Sequence, residues 1–318
     1  MSNAVASGIF TDILGYYKAF SPDAIRQVES EVALPGYFIR HYHRPNLEKE
    51  LISPCVVTVH HDLQDDDASL AVEKFLDRYR EATTVHCLNT LQQRFLADQG
   101  ITNTVVIPHG YNKKYIFPKY SSVEEIDSKT GSSQKKRIGL ISRRYPRKVK
   151  GEAYIYELAQ HLDPTEFEFV LIGKGRTFDA AILERYGYET TAYENLPYKM
   201  VASVYRSLDF LLMASWFEGG PANIPEAVGS AVPVLCNPIG MAYDFVSNGV
   251  NGLHLTMDPV VDAENISDWA LNEKKFLSLR KGALEMKHRG ITWEEHAKRI
   301  FEIYKNVTHE IVGGFRHG

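Results

Sequence analysis

The sequence predicts an α/β protein built from two parallel-sheet domains, and three observations carry that expectation. Short β-branched or apolar runs alternate with helical stretches over residues 1–118, the pattern of a parallel sheet wrapped by helices. The same alternation returns in cleaner form over 137–290. Between them, 119–136 holds Ser121-Ser122, Asp127-Ser128 and Gly131-Ser132-Ser133 with almost no apolar residue, which reads as a linker. Residues 291–318 read as a closing helix and tail.

In the first domain, residues 9–34 have helical character. Ser21-Pro22-Asp23 supplies a cap with proline in the first turn, and Ala24 to Val32 continues it. Tyr37 to His43 reads as a strand, and Cys55 to Val59 as a buried parallel strand ending at His60-His61-Asp62. Asp65-Asp66-Asp67 fits a turn in which Asp67 caps a helix carrying Leu70, Val72, Phe75 and Leu76. Thr83 to Cys87 is a short strand. Asn89 and Gln92 form the ends of a capping box, and Gly100 closes that helix. Thr104 to Ile107 is a strand that stops at Pro108-His109-Gly110-Tyr111-Asn112.

In the second domain, the strand Ile138–Ile141 runs into a basic loop and then a helix bearing Ile155, Leu158, Ala159 and Leu162. Phe167 to Ile172 is a strand ending in Gly173-Lys174-Gly175, Pro197 to Ser207 a helix, and Phe210 to Ala214 the next strand. A tight loop and a short helix follow over 216–228, then a strand at Val232–Cys236, a helix at Gly240–Asn248 and a strand at Gly252–Leu255. Two helices are expected to close the chain, the last opening on the capping box Thr292-Trp293-Glu294-Glu295.

Composition narrows the function. With 44% hydrophobic and 24% charged residues the chain can bury a core. The formal net charge of −4 argues against nucleic-acid binding driven by bulk charge. Cys55, Cys87 and Cys236 lack metal-ligand spacing and fit reduced thiols in a reducing compartment. No apolar run reaches the roughly 20 residues that span a bilayer, and Met1 to Gly8 lack the features of a signal peptide, so a cytoplasmic protein is expected.

The residues that could carry chemistry lie at strand ends. Arg143, Arg144, Arg147, Lys148 and Lys150 follow one strand directly. A run of charges is ordinarily a solvated loop, but ligands of open α/β sheets bind at the carboxyl ends of strands, and arginine forks match phosphate oxygens. Gly173 and Gly175 end the next strand, where glycines make tight turns or let a ligand approach. Glu218 and Glu226 stand eight positions apart around Gly219, Gly220, Pro221, Ala222 and Pro225. Glu226, at a helix start, suits vicinal hydroxyl donors. His60 and His61 end a buried strand at the ligand edge, where a structural or a catalytic role is open. His41 and His43 share a strand face with no third metal ligand, which favours a structural or acceptor-side role.

Taken together these residues resemble the retaining group 1 (family 4) glycosyltransferases of the GT-B fold. The resemblance extends over about 55–310 and is strongest over 137–255. Its signature E-x7-E is seen as Glu218 to Glu226, after the pattern Tyr205-Arg206-x-x-Asp209. The family's diphosphate clamp is similar to Arg143 or Arg144 with Lys150-Gly151, Lys148 being the other lysine in reach. The strand-end G-x-G is similar to Gly173-Lys174-Gly175, P-N-G-V-D to Pro108 through Asn112, the N-G-x-N-G element to Asn248 through Gly252, and the closing W-x-x-x-A to Trp293 through Ala297.

The resemblance implies two Rossmann-like domains facing across a cleft, here with the N-terminal one reduced and without the family's glycine-rich first turn. It implies a nucleoside-diphosphate sugar of UDP or GDP type, bound by the second domain. Glu226 would take the ribose and Glu218 the transferred sugar. Gly219, Gly220, Pro221 and Ala222 would line sugar and phosphate, and the basic loop would neutralise the diphosphate without a metal or other cofactor. His60, or next His61, would contact the sugar, and the last helix would cross back onto the first domain. The acceptor would be a glycan, a lipid-linked glycan or a small molecule, as in polysaccharide biosynthesis. Membrane-bound acceptors, common in such families, would bring peripheral contact at the inner membrane face, and the short first domain implies a reduced acceptor side or one completed by a partner chain or a missing segment. Two alternatives share these features: a sugar-nucleotide epimerase, and a non-catalytic donor-binding subunit of a two-chain transferase.

Overall fold

A computed structural model describes residues 8–30, 34, 36, 39–128 and 135–314. The chain divides into two compact units, one of residues 1–110 and 292–318, the other of 111–291. In chain order the first unit begins with α1 (Gly8–Ala19), β1 (Arg40–Tyr42), β2 (Cys55–Thr58), α2 (Glu73–Glu81), β3 (Thr84–Cys87), α3 (Thr90–Asp98) and β4 (Thr104–Val106). Its strands form a parallel sheet in the order β1-β2-β3-β4. Buried Val57, Val85, Phe75, Tyr79 and Leu96 pack its helices onto the sheet. Asn89 caps α3 by accepting from the Gln92 N–H at 2.9 Å.

The second unit holds α4 (Val123–Ser128), β5 (Lys136–Ile141), α5 (Glu152–His161), β6 (Phe167–Ile172), α6 (Arg176–Arg185), β7 (Glu189–Tyr193), α7 (Tyr198–Tyr205), β8 (Phe210–Met213), α8 (Asn223–Gly229), β9 (Val234–Cys236), α9 (Met241–Phe245), β10 (Gly252–His254), α10 (Pro259–Leu271) and α11 (Glu273–Met286). The sheet is parallel throughout, in the order β10-β9-β8-β5-β6-β7. The chain runs outward from β5 through β6 to β7, then returns to lay β8 on the other side of β5. Strand order therefore reverses between β5 and β8, and such a reversal opens a crevice at the carboxyl ends of the two strands. Fully buried apolar residues on β5, β6 and β8, among them Ile138, Phe169 and Phe210, make the strands near-continuous apolar runs, as burial on both faces requires. Last comes α12 (Trp293–Gly314), part of the first unit, opened by a reciprocal capping box between Thr292 and Glu295.

Several expectations need correction. Residues 20–30 form no helix after α1, because no residue among them is buried and a helix without a packed face has little to hold it. The strand expected at 37–43 is observed at 40–42, and residues 37 and 38 lie outside the described residues. Asp67 accepts from the Ser69 N–H and hydroxyl in a local turn, and α2 starts six residues later at Glu73. The stretch expected as a linker contains α4, whose Ile126 is buried and whose Asp127 pairs with Lys281 of α11 at 2.7 Å. Three α-helices follow β10, not two, because Asn272 ends α10 and caps α11 through a bond from the Lys275 N–H. The sequence pattern announces neither helix α6 nor strand β7. The alternating exposure of β7 is that of an edge strand, with few apolar residues to signal it.

Candidate active site

The loops after β5 and β8 flank the reversal of strand order. They meet backbone to backbone: the Trp216 N–H donates to Val149 O at 2.9 Å, and a Cβ at Gly151 would lie 2.0 Å from Ala214 O. Only glycine fits there, and its φ of +76° also favours glycine. The loop after β9 closes in the same way, since a Cβ at Gly240 would lie 2.4 Å from Glu218 O. These close approaches set the position of Lys150, next to Gly151, against Glu218.

Lys150 forms an ion pair with Oε1 of Glu218, and the same oxygen accepts from the Ser215 hydroxyl at 2.9 Å. The two charged side chains are only 15% and 11% exposed, so water screens the pair weakly. Glu226 lies in the first turn of α8 and accepts from the Tyr205 hydroxyl at 2.8 Å. Burial first, and then the Glu226 carboxylate, push the Tyr205 hydroxyl well above its ordinary pKa, so it remains a donor. Between the two acids, Gly219 and Pro221 are buried, Gly220 and Ala222 half-buried, and Pro221 O accepts the Ile224 N–H that begins α8. The Asn223 side-chain amide donates to Ile141 O at 3.2 Å, which ties α8 to the end of β5.

The basic loop separates its cations by partner. Arg143 is exposed and lies over the Tyr145 ring at 4.4 Å. Arg144 donates to Asp179 at 3.1 Å and covers Phe178, and its own N–H donates to Lys174 O. Lys148 is exposed, in the left-handed region at φ 55°. Asp179, 1% exposed, also accepts from Arg176 at 2.6 Å and from the Tyr156 hydroxyl. Arg176, equally buried, donates to Ser142 O at 2.7 Å and to the Ser142 hydroxyl at 2.8 Å. The sequence pattern points to no role for Ser215, Asp179, Arg176 or Tyr156, and Tyr205 enters it only within the Tyr205-Arg206-x-x-Asp209 pattern. The i,i+3 spacing of Arg176 and Asp179 was a visible signal once α6 is recognised.

Gly173 and Gly175 occupy the turn after β6. The Gly173 N–H donates to Tyr193 O, and the Gly175 N–H donates to the Glu194 carboxylate at 2.6 Å. Glu194 also accepts from the Thr177 N–H and hydroxyl, which hold its acid down at about 2 together with the Gly175 bond. A carboxylate of the chain itself thus occupies the amino end of α6.

In the first unit His60 and His61 diverge. His60 Nε2 is 2.8 Å from His43 Nδ1, and its ring stands edge-on to Phe10 at 4.7 Å. His61 lies on Phe75, with Nε2 buried and unpartnered among the described residues. His60 belongs to a wider histidine cluster whose proton positions follow from its acceptors. Ile107 O can only accept, so His86 carries its hydrogen on Nε2, at 2.7 Å. Thr58 then donates to His86 Nδ1 (2.9 Å), His41 Nε2 donates to Thr58 (2.6 Å), and Tyr304 donates to His41 Nδ1 (2.6 Å). By the same logic His296 donates from Nδ1 to Pro108 O (2.7 Å) and accepts from Tyr17 (3.0 Å). Burial foremost, then neighbouring imidazoles, hold His41, His60 and His296 well below the usual histidine range, and His43 at about 3. Among the described residues no group of three or more His, Cys, Asp or Glu is arranged to hold a metal ion, and no helix is long and apolar enough to cross a membrane.

The solved structure of sucrose-phosphate synthase from Thermosynechococcus elongatus superposes with a TM-score of 0.70 at 16% identity, over 86% of this chain and 74% of that one. Anabaena HepE in complex with UDP and glucose gives a TM-score of 0.64 at 19% identity, over 80% and 72%. These likenesses show the GT-B fold. In sequence, a GDP-mannose-dependent alpha-mannosyltransferase of Corynebacterium glutamicum is 27% identical over 217 residues, 67% of this chain and 50% of its own length. The chain thus aligns with half of that curated relative. The model of the family described as "Glycosyl transferases group 1" matches residues 122–290, just over half of the chain and nearly all of the second unit, so the chain belongs to the group 1 glycosyl transferases.

Proposed function

We propose that the protein transfers a sugar from a UDP- or GDP-sugar to a glycan, lipid-linked or small-molecule acceptor, with retention of anomeric configuration and without a metal. The observation that carries this reading is the convergence, at the reversal of strand order, of Lys150, Glu218 and Ser215, with the Glu226–Tyr205 pair at the start of the helix that follows the same loop. Vicinal ribose hydroxyls would donate to Glu226, whose orientation the Tyr205 hydroxyl fixes. Hydroxyls of the transferred sugar would donate to Glu218. Lys150, with the loop arginines Arg143 and Arg144, would neutralise the departing diphosphate, the role a metal plays elsewhere. Arg143 is the arginine better able to reach a ligand, because Arg144 is already committed to Asp179. His60 and His61 are proposed sugar-contacting residues of the first unit. The names of the relatives, a GDP-mannose-dependent transferase and a structure with UDP and glucose, support a nucleotide-sugar donor.

The test is a thermal-shift panel of UDP, GDP and their hexose conjugates, since a ligand of the folded state raises its unfolding temperature. It is followed by transfer assays with and without chelator, and by NMR of the product anomer. A shift with one nucleotide family, turnover unaffected by chelator and a retained anomer are expected. Inversion or chelator-sensitive turnover overturns the corresponding part. Isomerised donor without acceptor would point instead to an epimerase.

A further inference from the structure

Within the second unit, one carboxylate oxygen serves two donors. Oε1 of Glu218 takes both the Lys150 ammonium and the Ser215 hydroxyl. The proposed function asks both charged groups to do something else, Lys150 to meet the diphosphate and Glu218 to accept from sugar hydroxyls. A carboxylate already bonded to an ammonium is a weaker acceptor for a hydroxyl, and an ammonium facing a carboxylate presents little net charge to a phosphate. With both side chains largely shielded from water, each holds the other firmly.

We infer that Lys150 is shared between Glu218 and the donor's diphosphate: in the empty site the pair masks both groups, and the arriving diphosphate draws Lys150 away and frees Glu218 for the sugar. This rests on the donor-site reading above. A nucleoside diphosphate without its sugar must break the pair and gains nothing on Glu218. A nucleotide-sugar breaks the same pair, and its hydroxyls then satisfy the released carboxylate. Substrate is thus favoured over the diphosphate product by the same contact. Once the sugar has left, Glu218 recovers Lys150 and helps expel the product, a step that commonly limits turnover.

The consequence has an unusual sign: neutralising Glu218 should tighten the binding of the bare nucleoside diphosphate. The experiment is calorimetric titration of UDP and GDP, and of their hexose conjugates, into wild type, Glu218→Gln, Lys150→Met and the double variant. Unfolding temperatures are measured alongside. Glu218→Gln is expected to bind the preferred diphosphate roughly three- to tenfold more tightly than wild type, as expected when a competing charge is removed from a shielded pair, and to lose the preference for the sugar conjugate. Lys150→Met should weaken diphosphate binding, and adding Glu218→Gln to it should restore nothing. Glu218→Ala, which keeps no amide to hold Lys150, should show the same tightening and guards against an artefact of the glutamine. If folded Glu218→Gln and Glu218→Ala bind the diphosphate no tighter than wild type, or if the gain survives in the Lys150→Met background, the sharing of Lys150 is wrong. If wild type and all variants fold but bind neither UDP nor GDP, the donor-site reading itself fails, and the inference with it.

Discussion

Ala231 shows how a single residue can be at odds with the motif it completes. After α8 the chain makes a C-terminal cap in which the Val232 N–H donates to Ala227 O at 2.9 Å and the Ala231 N–H to Val228 O at 3.0 Å. That pair of bonds defines a Schellman motif with Ala231 at its left-handed position, and Pro233 follows two residues on. The φ of +54° at Ala231 places its Cβ where a side chain meets the backbone, a cost glycine avoids. Ala231→Gly is therefore expected to stabilise the protein by about 0.5–1 kcal/mol, the relieved strain exceeding the added freedom of the unfolded chain. Urea unfolding of the two proteins measures it, and a lower midpoint for the glycine variant at unchanged slope would contradict the assignment.

At the scale of elements, much of the architecture was legible because parallel strands buried on both faces announce themselves as apolar runs. The apolar run of β6 coincides with its observed limits, and those of β5, β8, β9 and β10 agree to within two residues. The acids of the 218–226 loop and the cations after β5 were legible for a related reason: they sit where a run stops. Elements whose stability comes from partners distant in sequence were not. Helix α6 is held by Arg176 and Asp179, which reach Ser142, Arg144 and Tyr156 on other elements, and periodicity does not reveal such a network. The polar stretch 119–136 points the opposite way, since α4 within it docks through the buried Ile126 and the pair of Asp127 with Lys281, which a polar composition does not reveal. The α6 network yields its own expectation. Asp179→Asn removes the charge that balances a fully buried Arg176, leaving among the described residues the more distant Glu152 at 3.7 Å. Loss of one partner of a buried pair costs about 3–5 kcal/mol, so the variant should unfold at markedly lower denaturant, with α6 and the β5 loop losing amide protection first. A change under about 1 kcal/mol, within the usual range for an exposed pair, would show that the network is not needed.

For the molecule as a whole, the two units should respond differently to acid. The first gathers His41, His43, His60, His86 and His296 in one cluster, and the second has no such cluster among its described residues. In the folded state His43 titrates at about 3, His86 at about 4, and His41, His60 and His296 well below their ordinary value, with burial the main cause. An unfolded histidine takes up its proton near pH 6.5. A depressed folded pKa means that the unfolded chain binds more protons below that point, so the stability is complete above about pH 6.5 and drains away as pH falls toward the folded values. At pH 5.5 a ring held at about 3 or 4, as His43 and His86 are, costs on the order of 1 kcal/mol, against a domain's total stability of about 5–15 kcal/mol. The fixed tautomers sharpen the effect, because a proton added to His41 or His86 on Nδ1, or to His296 on Nε2, turns an acceptor into a second donor facing a hydroxyl that already donates there. Hydrogen exchange at pH 7.5 and 5.5, corrected for intrinsic rates, should show protection lost in β2, β3 and the early turns of α12 while β5, β6 and β8 retain theirs. Replacing His86 with Gln, which offers an acceptor and a donor that do not titrate, should lower stability at pH 7.5 yet flatten its fall between pH 6.5 and 5.5. Equal acid sensitivity of the two units, or an unchanged slope in that variant, would show that the cluster does not set the pH response.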